Sequence, residues 1–231
     1  MELRVACLRK IKNMTILDTL EDRSDEGIAE QSICSLVMIT ADLSKTAESI
    51  HGFVLYQHLP GHPPLLFSKY FGAMPAFTQE YENIPEHRVN REMTLEYAMF
   101  ELAIKLQEIK EQAHGVTPLF FSTNVNHWTR PLLNSLLERF PNYADCFGSL
   151  IDVRALFSVE SRKAKILYGD TIEQCLSRSD KTKKQEGLEF ICDFYHRRVQ
   201  SGALRPEVRA MNAYASGLFL LQSEYTSEDD D

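Results

Sequence analysis

Met14-Thr15-Ile16-Leu17-Asp18 and Ile33-Cys34-Ser35-Leu36-Val37-Met38-Ile39-Thr40 flank the acid-rich break Glu21-Asp22-Arg23-Ser24-Asp25-Glu26-Gly27, and their reading decides the fold. Both are apolar, β-leaning runs bounded by turn residues, so both read as strands. The first stops on Asp18 and the second closes at Asp42. A carboxylate at the exposed end of a buried strand, with a hairpin partner close behind, can hold Mg²⁺, which needs acidic oxygens on a rigid backbone. The plainer reading is that Asp18 opens a turn, as Asp commonly does where a strand stops.

Outward from this pair, Phe53-Val54-Leu55-Tyr56-Gln57-His58 reads as a third strand, ended by Pro60-Gly61-His62-Pro63-Pro64. Strands this close in sequence join through short connections, which predicts an antiparallel meander. Leu65 to Val89 carries Phe67, Tyr70, Phe71, Phe77 and Tyr81 between Gly72, Pro75 and Pro85, and reads as an irregular loop with short helical pieces. Its aromatics are expected in the core, with base stacking as the alternative. Leu95, Met99, Leu102, Leu106 and Ile109 recur at spacings of three and four, which predicts a helix from about 93 to 112 capped by Thr94 or Asn90. Pro118 to Ser122 reads as a strand, Arg130 to Phe140 as a helix, and Ser149 to Phe157 as a further strand or strand-to-helix junction. The last third is helical: 171–178, 185–200 and a final helix opened by Pro206. Alternation of helix and strand in the second half implies right-handed crossovers and parallel pairing. The sum is an α/β protein with a mixed sheet: three antiparallel strands first, then parallel strands, flanked by helices. We expect a single domain over 1–222 and an acidic, disordered tail over 223–231.

Of the 231 residues, 44% are apolar and 25% charged, which suits a soluble globular domain with a sizeable core. No window is long and apolar enough to span a membrane, and the first ten residues lack a signal-peptide pattern, so a cytoplasmic protein is expected. The five cysteines are scattered without a Cys-x-x-Cys pair, which points to free thiols and away from a disulfide framework or zinc knuckle. A formal net charge of −8 argues against nonspecific coating of nucleic acid. It leaves room for a local basic track, and Lys163, Lys165, Lys181, Lys183, Lys184, Arg197 and Arg198 concentrate positive charge in the C-terminal third. Interleaved Glu186, Glu189 and Asp193 fit a solvated helical surface instead. Pro60 and Gly61 exclude a helical metal site at His58 and His62. Ser122, Ser135 and Cys146 lack the setting of an activated nucleophile, and no phosphate-binding glycine loop is present.

The order of these segments resembles the phage-type and bacterial DEDD 3′–5′ exonucleases, including small exoribonucleases, whose fold is ribonuclease-H-like. Ile16-Leu17-Asp18-Thr19-Leu20-Glu21 followed by 33–42 resembles their opening strand, which ends in Asp-x-Glu, and the strand after it. Leu119 to Leu137 stands where the family carries its third acid. Ile151-Asp152-Val153-Arg154-Ala155-Leu156 resembles the Arg-Asp-x-Arg strand, giving Asp152 and Arg154 structural roles. Leu204 to Leu221 stands where the last helix brings a His and an Asp. The resemblance implies two metal ions, Mg or Mn, held by four carboxylates, with a His or Tyr helping to activate water.

Against that pattern Asp18 is kept, but Leu20 falls where Glu is expected and Glu21 comes one residue late, on the opposite face of a strand unless a bulge intervenes. No Asp or Glu occurs from Gly115 to Leu137, and the third position falls near Thr129, beside His127 and Trp128. Glu207 can stand in for the last Asp; the expected His falls near Gly202. The expected catalytic set is therefore Asp18, Glu21 and Glu207, vestigial or rearranged, with Asp18 the residue for any metal. The leading expectation is an exonuclease-fold protein, catalytically dead or weak, that binds single-stranded nucleic acid or a protein partner, and a phage accessory or antidefence factor acting in the host cytoplasm fits it. The alternatives are an active metal-dependent 3′–5′ exonuclease on single-stranded DNA or RNA, and an acidic protein-binding inhibitor.

Overall fold

The computed structural model describes residues 33–58, 63–122, 125–153, 155–156 and 205–222. The expected strand at 14–17, the helices at 171–178 and 185–200 and the acidic tail lie outside the described residues.

The sheet is built around β1 (Ile33–Thr40), eight residues with hardly an exposed side chain. An almost unbroken apolar run of this kind suits a strand covered on both faces. Alternate residues divide between two layers. Cys34, Leu36 and Met38 face one apolar cluster, and Ile33 and Ile39 face the other. β1 pairs antiparallel with β2 (Ile50–Gln57), Val37 opposite Val54 and Met38 opposite Phe53, with a register shift between Ile39 and Thr40. β2 in turn pairs antiparallel with β3 (Leu65–Phe71), against whose far end the two-residue β4 (Val89–Asn90) pairs in parallel. On the other side of β1 lies β5 (Leu119–Ser122), parallel, then β6 (Leu150–Asp152), parallel again. The strand order is β4-β3-β2-β1-β5-β6.

The sheet is thus mixed, antiparallel then parallel, as expected. The antiparallel trio, however, is 33–40, 50–57 and 65–71, one strand later in the chain than the sequence suggests. Leu65 to Phe71 is a strand where a loop was expected, because its alternation is hidden. Lys69 lies on the face that covers Phe67 and Phe71 and reaches Glu101 of the overlying helix at 2.8 Å, while Leu66 on the opposite face is 48% exposed.

The short α1 (Ala76–Tyr81) follows β3, and α2 (Leu95–Gln112) follows β4. The α2 stripe of Ala98, Met99, Leu102, Leu106 and Ile109 is buried against the sheet. Of the two candidate caps, Thr94 accepts from the Tyr97 N–H at 3.3 Å and Asn90 caps the turn before it, accepting from Glu92 and Met93. A π-helical turn (Val125–Thr129) leads into α3 (Arg130–Arg139), which packs on the same face as α2. The last helix, α4 (Pro206–Gln222), covers the opposite face with Ala210, Ala213 and Tyr214. Two contacts seat it. Ser35 Oγ donates to the Ala210 carbonyl at 2.6 Å, and a Cβ on Gly217 would stand 2.5 Å from the Phe121 ring, so only glycine lets the helix come this close.

Candidate functional site

In open α/β sheets ligands bind beyond the carboxyl ends of the strands. Here the carboxyl ends of the parallel neighbours β1 and β5 open onto a groove of about 1050 Å³. Its floor is Val37, Met38 and Thr40 of β1, Ser122 at the tip of β5, and Thr129 of the π turn. α1 supplies one wall with Phe77, Glu80 and Tyr81, followed by Glu82, while Trp128 and Arg209 of α4 also line it. Asp42 and Leu43, just past β1, form the lip.

Hydroxyls and an ion pair occupy its inner surface. Ser122 Oγ and Thr129 Oγ1 are buried and 2.8 Å apart. Arg209 pairs with Glu82 across the groove. Burial pushes the Glu82 carboxyl up from its ordinary value, with the Arg209 charge opposing it. Below the floor, Asp152 at the end of β6 accepts the Val125 N–H at 2.9 Å, tying the start of the π turn to the sheet. At the lip, Asp42 accepts the Ser44 N–H at 2.8 Å and the Ser44 hydroxyl at 2.5 Å, which fixes the turn leaving β1.

Glu207, the expected last acid, is not among the groove-lining residues. It opens α4 from a buried position, and its Oε1 is doubly held. Tyr70 Oη donates to it at 2.8 Å, and Arg88 Nη1 pairs with it at 2.5 Å. Arg88 is itself held by Ser68 at 2.7 Å and by the Tyr70 ring, 5.4 Å from its centroid. Burial alone would raise the Glu207 carboxyl; the Tyr70 hydroxyl, a backbone N–H and the Arg88 charge outweigh it and hold it below the usual carboxylate range. Burial, reinforced by the same contact with Glu207, pushes the Tyr70 phenol well up.

Asp18, Glu21, Arg154 and the basic residues Lys163, Lys165, Lys181, Lys183, Lys184, Arg197 and Arg198 lie outside the described residues. Among the described residues, no three His, Cys, Asp or Glu side chains are grouped to hold a metal ion. Asp152 at the end of β6 is turned to the Val125 N–H, Glu82 is committed to Arg209, and Asp42 and Glu80 are not grouped with a third ligand, so the described residues do not fit a two-metal site, which needs converging carboxylates.

Sequence reasoning missed the aromatic wall. Phe67, Tyr70 and Phe71 are buried as expected, whereas Phe77 and Tyr81 are 64% and 73% exposed. Their spacing of four residues, just after Pro75, was the available signal that they share a helix face.

Taken together, the molecule is a mixed-sheet α/β protein with a large groove at the carboxyl ends of its parallel strands. No protein-family model matches the chain, and no curated protein matches it. No described helix is long and apolar enough to cross a membrane.

Proposed function

We propose that this chain is a ribonuclease-H-like exonuclease scaffold that works by binding a protein partner rather than by cutting nucleic acid. Support for the fold comes from the strand order, an antiparallel trio joined through its first strand to two parallel strands. The observation that carries the functional reading is the state of Glu207. A metal-ligating carboxylate must present its oxygens to the ion, but Glu207 Oε1 is spent on both Tyr70 and Arg88, and the side chain is buried away from the groove. Freeing it would strand a guanidinium and a buried phenol. The groove itself combines an aromatic wall with hydroxyls and a few carboxylates, the composition of a surface that binds a ligand.

The test is Mn²⁺ binding to the full chain, followed by titration calorimetry on wild type and Glu207→Gln. The expected result is an identical, weak response in both. Saturable binding of two ions that disappears in Glu207→Gln would overturn the proposal.

A second reading, single-stranded nucleic acid as the partner, is favoured by the clustering of eight Lys and Arg residues between 163 and 198. It predicts salt-sensitive oligonucleotide binding that charge reversal at Lys183 and Lys184 weakens.

A further inference from the structure

Water tolerates single exposed apolar side chains, but a concentration of them in one concavity marks a contact surface. Among the described residues the three most exposed large hydrophobics are Leu43 at 85%, Tyr81 at 73% and Phe77 at 64%. All three line the same groove. Its charge is one-sided. Asp42, Glu80 and Glu82 line it against the single cation Arg209, which already neutralises Glu82. That leaves Asp42 and Glu80 without an ion pair among the described residues. The aromatic wall is suited to cations as well: Lys45 Nζ lies 5.9 Å from the Trp128 ring centroid, leaving the Phe77 and Tyr81 faces open.

From this juxtaposition, and resting on the reading of the chain as a binding scaffold, we infer that the groove takes a basic peptide segment of a partner protein. Its Lys or Arg stems lie along Phe77 and Tyr81, and their charged ends meet Asp42 and Glu80. Long cationic side chains are the natural complement, because their aliphatic stems cover apolar surface while their heads stay on carboxylates. A phosphate backbone is disfavoured in the same place, since its charge would face two carboxylates that carry no ion pair among the described residues.

The experiment is selection from a random-peptide display library on the immobilised full chain, followed by fluorescence anisotropy with the enriched peptide. Enrichment of Lys or Arg beside apolar residues is expected. Binding should weaken about tenfold in Asp42→Asn/Glu80→Gln and again in Phe77→Ala/Tyr81→Ala, each shown to be folded by circular dichroism. Enrichment of acidic or uncharged peptides, no enrichment, affinity unchanged in both double variants, or displacement of a labelled single-stranded oligonucleotide from the groove would each overturn the inference. Degradation of that oligonucleotide by the wild-type chain overturns the scaffold reading instead, so the two failures are told apart.

Discussion

Replacing Glu207 by Gln separates a structural carboxylate from a catalytic one. The amide oxygen keeps an acceptor for Tyr70, but Arg88 loses its counter-charge. A charged hydrogen bond contributes about 1.5–3 kcal/mol when removed, and a fully exposed ion pair about 0–1 kcal/mol. Here the Glu207 side chain is 10% exposed and that of Arg88 34%, so the guanidinium can partly rehydrate. The expected loss is about 1.5–2.5 kcal/mol, or roughly 3–10 °C in melting temperature for a chain of this size. Glu207→Ala adds the unsatisfied buried phenol and should lose about 3 kcal/mol or more. Because the folded-state value of Glu207 lies below the unfolded one, its contribution is present above about pH 4.3 and fades as pH falls through the folded value. Wild type and Glu207→Gln should therefore converge under acid conditions. Urea unfolding followed by circular dichroism, at neutral pH and at about pH 3, reads both effects. A carboxylate held among other acids would behave oppositely, since neutralising it relieves like-charge repulsion. An unchanged or raised midpoint at neutral pH would refute the structural role.

Other positions give independent checks by thermal or urea unfolding. Thr94→Ala should cost about 1 kcal/mol through loss of the α2 cap, and Thr94→Ser should restore most of it. Gly217→Ala forces a methyl into the Phe121 ring and should cost about 1–3 kcal/mol; a neutral result would mean that α4 does not sit against β5 this closely. Asp152→Ala strips the Val125 N–H of its acceptor and should cost about 1–3 kcal/mol, with the near-ultraviolet signal of the lone tryptophan, Trp128, changing alongside.

How much of this was legible depended on whether neighbours agreed with the local pattern. β1 and α2 were readable because every position along them reports the same burial: an apolar run in one, a three-and-four stripe in the other. β3 was not, because Lys69 occupies a sheet-covering position whose charge is answered by Glu101 on a helix not yet formed when one reads the strand. Without that strand, the third member of the described antiparallel trio was read as a loop. Phe77 and Tyr81 were misread as core because aromatic character says nothing about which side of a one-and-a-half-turn helix meets the sheet. Glu207 was read as a stand-in for the last acid of the resemblance, and it lies in the first turn of α4 on a tyrosine and an arginine. Its partner Tyr70 lies 137 residues away, and pairing across such a span is a property of the fold, not of any local spacing.

The most direct test of the account is hydrolysis itself. End-labelled single-stranded DNA and RNA should remain full length when incubated with the chain in Mg²⁺ or Mn²⁺. A ladder of products shortened from the 3′ end, lost in Asp18→Ala, would contradict the account by showing that a working metal site exists on this scaffold.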